Sequence, residues 1–176
     1  MDKIQLRAFY EEYEAIDANN YSQIFDLIRR IASTVLKKSR AGILIGLEDL
    51  GFHPQGFVGG YHRVGTNEIY LNRNVLQIMR EETPKGHYKA YLFHLLLHEY
   101  IHSIGYTEEE DTQKMTRFIS RTIFGTRHPV FKIAAYGLNA LFPHEFYEGH
   151  FEPDDHLPRN IEFIQLHHHD SRLTYM

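Results

Sequence analysis

The stretch LLLHEYIHSIG, residues 95–105, decides how this chain is read. It places His98 and His102 four residues apart, with Glu99 directly after the first imidazole. The surrounding segment from Lys85 to Ile104 has no proline and no glycine after Gly86, which predicts one long, mostly buried helix. Gly105 is placed to stop that helix in a left-handed conformation. On a helix, positions i and i+4 share a face, so both imidazoles reach toward one ion while the carboxylate at i+1 points toward a water bound to that ion. With 13 histidines chance matches come more easily, yet composition alone predicts only about 0.1 HExxH patterns in a chain of this length. The competing reading is two core histidines satisfied by local hydrogen bonds. The motif's setting, on a predicted helix behind a small sheet and closed by glycine three residues after the second histidine, favours the metal.

Composition narrows the metal's partners. There is no cysteine, which excludes disulfides, thiolate zinc sites, iron–sulfur clusters and a cysteine nucleophile, so any metal is held by His, Asp or Glu. Lys and Arg number 19 against 23 Asp and Glu, and a net charge of -4 provides no general attraction to nucleic acid or to an anionic membrane. Arg29, Arg30, Lys37, Lys38 and Arg40 recur at helical spacing and read as a solvated face. A chain of 176 residues suits one domain, taken here as 1–176. The amino-terminal MDKIQLRAFYEEYEAID lacks the apolar core of a signal peptide, and YLFHLLL, residues 91–97, is far shorter than a membrane span. These features predict a soluble, cytoplasmic protein.

Outward from the motif, apolar residues at helical spacing between Asp2 and Ser39 predict two helices broken near Asn19 and Asn20. AGILIGLEDL from Ala41 reads as a strand, and GFVGGYHRV with EIYLNRNV as a hairpin turning at Gly65, Thr66 and Asn67. The glycines at 56, 59 and 60 meet neither phosphate-loop nor Rossmann spacing and read as places of bulge or close approach. Glu81 to Pro84 reads as the entry to the long helix. Thr107 with Glu110 forms a capping-box pattern, predicting a helix from about Glu108 to Phe124, and a further helix is expected from His128. NIEFIQLH reads as a final strand.

At this point the chain resembles the zincin metallopeptidases, over roughly Ala41 to Phe124, and specifically in His98 to Gly105 with the acidic run that follows. The resemblance implies an α+β, zincin-like fold: amino-terminal helices, a small mixed sheet with a hairpin, the HExxH active-site helix and a helical carboxyl-terminal part. It implies His98 and His102 as ligands of Zn2+, Glu99 as general base, and a peptide or protein substrate paired by strand addition to one strand within Gly56 to Arg73. The extended metzincin pattern puts the third ligand ten residues after His98, at Glu108. Gluzincins take a glutamate from a later helix, which brings in Glu109 or Glu110, and His144, His150 and His156 of the later loop are further alternatives. Acidic residues in a first helical turn also suit the helix dipole without any metal. Tyr106, Tyr136 and Tyr147 are candidate oxyanion donors, His94 belongs to the helix face or supports a ligand, and the HHHDSRLTYM tail is a candidate inhibitory segment. The function expected is zinc-dependent peptide-bond hydrolysis. Its rival is a non-catalytic, zinc-stabilised binding protein that keeps the same fold.

Overall fold

The computed structural model describes residues 2–52, 56–142 and 160–166. Helices α1 (Lys3–Ala15) and α2 (Tyr21–Leu36) start where side chains can accept the first free backbone N–H groups. Asp2 accepts from Ile4 at 3.1 Å and Asn20 from Gln23 at 3.1 Å. α2 buries Ile24, Leu27, Ile28 and Ile31 along one stripe, and α1 buries Phe9 and Tyr13. The Lys89 ammonium, from the long helix, donates to the carbonyls of Tyr13 and Glu14 and so satisfies the carboxyl-terminal end of α1, its stem lying in the core.

Four short strands follow: β1 (Leu44–Glu48), β2 (Gly60–His62), β3 (Glu68–Asn72) and, late in the chain, β4 (Glu162–Ile164). They make one mixed sheet in the order β2-β3-β1-β4, with β1 parallel to β3 and both outer strands antiparallel to their neighbours. Alternation sends Ile45, Ile69 and Leu71 into the core, while Tyr61, Tyr70 and Phe163 line the opposite face. Gly60 lies where a Cβ would meet the Tyr70 carbonyl oxygen at 2.7 Å, so the close approach expected of these glycines is real at this position.

Beyond β3 the structure departs from the sequence reading. Helix α3 (Arg73–Glu82) occupies residues assigned to the end of a strand and to a helix entry. Asn72 caps it, accepting from Asn74 N–H at 3.1 Å, and Val75, Leu76 and Met79 form its buried face. Asn72 is itself fully buried, and its amide donates to the carbonyls of Gly51 at 2.7 Å and Val58 at 2.8 Å. One side chain thus closes β3, starts α3 and fixes the loop entering β2.

Helix α4 (Lys85–Ser103) runs through the core, touching α2, α3, α5, α6 and β2. Its end is a Schellman turn: Tyr106 N–H donates to Ile101 O at 3.3 Å, Gly105 N–H to His102 O at 3.1 Å, and Gly105 has φ 105°. Helix α5 (Glu109–Phe124) starts one residue later than the capping-box pattern predicts. Glu108, not Thr107, is its N-cap residue, and no side chain caps it. Helix α6 (Pro129–Tyr136) begins at His128, whose Nδ1 accepts from Val130 N–H at 3.2 Å, and a 3-10 turn (Leu138–Ala140) follows. The fold class is α+β, with six helices and a small mixed sheet among the described residues. No helix among them is long and apolar enough to cross a membrane.

His128 makes this arrangement sensitive to acid. Its ring stacks on Phe124 at 4.6 Å, and burial pushes its pKa below the ordinary value, against the opposing pull of Glu14. A protonated Nδ1 cannot accept the Val130 N–H. Because the folded pKa is depressed, the unfolded chain binds a proton that the folded chain resists, and stability falls as pH drops below about 6.5. Replacing His128→Asn keeps an N-cap acceptor without titrating. The thermal midpoint of the variant is expected to fall less steeply than the parent's between pH 7 and 5.

Candidate functional site

From Tyr88 to Ser103, α4 is buried on every side except at His94, His98 and His102, which recur every fourth residue. This stripe opens onto a cleft bounded by β2 on one side and by α5 and α6 on the other. Two cavities, of about 400 and about 500 Å³, meet over α4 and share Gly59, Gly60, His98, Glu99 and Glu109. The first extends between α4, α5 and α6, the second along β2 toward Arg40 and Gly105.

At the junction the structure gathers His98, His102 and Glu109, whose ligand atoms all lie within 4.8 Å of one another. The two Glu109 carboxylate oxygens divide between the imidazoles, at 3.4 Å from His98 Nε2 and 3.2 Å from His102 Nε2. Three donors around a tetrahedral zinc, each about 2.0–2.1 Å from it, stand about 3.3 Å apart, so both His–Glu separations fit.

Hydrogen bonding adds a second sign of fit. Tyr106 O lies 2.8 Å from His102 Nδ1 and can only accept, which assigns the proton of the neutral ring to Nδ1. The Nε2 lone pair then faces a carboxylate oxygen at 3.2 Å, and such a contact needs a cation between the two, either a proton or a metal. Thr112, fully buried on α5, holds the arrangement: its hydroxyl donates to Tyr106 O at 2.7 Å and lies 3.2 Å from His102 Nδ1. Gln113 donates to Glu109 Oε1 at 2.8 Å.

The local electrostatics favour the electron-donating forms. Burial holds the His98 pKa below its ordinary value, although Glu109 pulls the other way. For Glu109, burial acts to raise the pKa, but the Gln113 hydrogen bond and the two imidazoles outweigh it and leave it below its ordinary value. Glu99 behaves oppositely. Burial, reinforced by the nearby Glu109 charge, pushes it up to about 7, with partial relief from the nearby His62 backbone N–H. A carboxyl group poised near neutrality suits proton transfer.

Of the three metal ligands read from the sequence, His98 and His102 come together and Glu108 stays outside. Glu108 is exposed at the N-cap of α5, where its carbonyl accepts from Thr112 N–H at 3.0 Å. Starting the helix at residue 109 turns Glu109, one residue further on, toward α4. Glu110 points away and pairs with Lys114 at 2.7 Å. His94 lines the first cavity, and its buried Nδ1 has no hydrogen-bond partner among the described residues. Tyr106 contributes its carbonyl, while its ring lies 4.2 Å beneath the Lys38 ammonium; Tyr136 is 72% exposed on α6. Tyr147, His144, His150, His156 and the HHHDSRLTYM tail lie outside the described residues. Thr112, Gln113 and the His62 N–H escaped the sequence reading, since nothing in their spacing marks them.

Two substitutions at the third position separate the alternatives. Glu109→Gln is expected to weaken zinc binding at least about 10-fold while Glu108→Gln leaves it unchanged, as measured by competition with a chromogenic chelator. Thr112→Val, nearly isosteric, is expected to keep the circular dichroism spectrum of the parent and to lose about 10-fold in zinc affinity, because His102 and the Tyr106 carbonyl lose their shared anchor.

No protein-family model, curated protein or solved structure matches the chain.

Proposed function

We propose that this protein is a zincin-like, zinc-dependent peptidase, with His98, His102 and Glu109 holding the metal and Glu99 as general base. The observation that carries the proposal is the Glu109 carboxylate straddling both imidazoles at 3.4 and 3.2 Å on the wall of an open cleft, with a buried carboxyl group beside them. Zinc held by His98, His102 and Glu109 would supply a polarised water and a Lewis acid for the scissile carbonyl. Glu99, the buried carboxyl group beside these residues, would accept a proton from the attacking water and deliver it to the amine nitrogen of the breaking C–N bond.

The edge strand supports a peptide substrate. β2 ends the sheet, and only its β3 side is paired among the described residues. Gly59 O and Arg63 N–H bond toward β3, so alternation turns the main-chain groups of Gly60 and His62 to the free edge, beside the cleft. Glu99 meets the His62 N–H on that edge. An extended peptide paired there runs past Glu99 and the three ligands. Three donors among the described residues, with cavity on both sides, suit a metal that keeps a position open for water. A closed site of four protein ligands would instead suit the binding-protein alternative.

Glu99→Gln tests the reading, since Glu99 lies next to a ligand and belongs to none of the three. The variant is expected to bind zinc as the parent does and to lose about 10²–10⁴-fold in turnover of a mixed peptide library. Chelation is expected to abolish parent activity and added zinc to restore it. Undiminished turnover by the zinc-loaded variant would remove Glu99 from the mechanism.

A further inference from the structure

The cavity between α4, α5 and α6 has its own chemistry. Leu95, Ile133 and Leu138 give it apolar walls, and the small side chains of Ala134 and Ala135 leave it open on the α6 side. Two of its polar groups take no part in holding a metal. One is Arg117 on α5, whose Nε donates to Ala134 O at 3.4 Å and whose guanidinium has no carboxylate partner among the described residues. The other is His94 on α4, with its buried, unpartnered Nδ1.

Position and charge fix what these groups can meet. Glu109, Gln113 and Arg117 follow one another every fourth residue along the α5 face that lines this cavity. Arg117 therefore sits eight residues, or about 12 Å of helix rise, beyond the carboxylate of the metal group. The Glu109 carboxylate offsets part of the charge of a dication held with the imidazoles. Toward the other end of this cavity Arg117 is the one charged lining residue among the described residues. A guanidinium presents its donors in a planar fork that matches a carboxylate.

From this we infer that the α4–α5–α6 cavity is a specificity pocket for a carboxylate of the substrate, recognised by Arg117. The inference rests on the peptidase reading for the substrate being a peptide, though not for the carboxylate preference. At that distance from the metal group a carboxylate arrives either as an Asp or Glu side chain near the cleaved bond or as the free terminus of a short peptide. The chemistry is the same for both.

The test uses the full chain loaded with zinc and a random decapeptide mixture in two forms, with free and with amidated carboxyl termini, read by mass spectrometry. Cleavage is followed with the parent, and retention of peptides with Glu99→Gln. The expected result is a preference of about 10-fold for the carboxylate over its amide counterpart. A preference for Glu over Gln, or Asp over Asn, assigns the carboxylate to a side chain; loss of the preference on amidation assigns it to the terminus. Arg117→Gln is expected to bring the ratio toward one, and Arg117→Lys to keep part of it. A ratio near one in the parent, or an undiminished ratio in Arg117→Gln, overturns the inference. Selective retention without any cleavage would overturn the peptidase reading and leave the carboxylate pocket standing, whereas a mixture neither cleaved nor retained would overturn both.

Discussion

The rest of the structure depends on one constraint: α4 passes through the core and is buried nearly all round, so only a narrow stripe of it can meet solvent. Elements packed on its other sides exclude water from most of a nineteen-residue helix, and His94, His98 and His102 lie where that packing stops. Each step of four residues advances about 40° around the axis, so a stripe repeating every fourth residue slowly winds. His94, His98 and His102 follow that winding: His94 lines one cavity, His102 the other, and His98 both. The helix geometry therefore both places the central pair of imidazoles and gives the two ends of the cleft different walls.

What the sequence made legible follows from how local each signal is. The long helix, its stop at Gly105 and the i, i+4 pair are contained in 19 residues of α4 and the turn after it, and they are found as read. Both amino-terminal helices and the hairpin also came from short-range patterns, whereas the mixed sheet was implied by the family resemblance. Helix α3 was lost because EIYLN and RNVLQ carry similar apolar density, and the switch between them is made by a buried Asn72 cap that a strand reading passes over. The glutamate that meets the two imidazoles is Glu109 and not Glu108 for a comparable reason. Thr107 and Glu110 match a capping box, yet α5 starts from an extended Glu108, and one residue of helix phase is about 100° of direction.

That phase is set by tertiary contacts. Tyr106 is held by its N–H to Ile101 O, and its carbonyl accepts from both the His102 ring and the Thr112 hydroxyl. These bonds fix how α5 leaves the turn, and hence which of three consecutive glutamates faces the imidazoles. No spacing rule on residues 108–110 contains this information. Arg117 and the cavity behind it were hidden for the same reason, since their meaning depends on where α6 packs against α4 and α5.

The site thus divides by range. Its three donors fall between His98 and Glu109, and the groups that orient them, Tyr106, Thr112 and Gln113, come from the same α4–turn–α5 unit. Assembling them needs one hairpin of helices with little loop closure. The walls that would read a ligand are brought from far along the chain: β2 some forty residues before, anchored by Asn72, and α6 some thirty after. A change in β2 or α6 can therefore reshape the cleft without moving His98, His102 or Glu109, while a change at Tyr106 or Thr112 alters these three without touching the far walls. On the proposed reading, this separation gives a fixed reaction centre in a cleft whose selectivity is set elsewhere, with Glu99 lining both cavities that meet there.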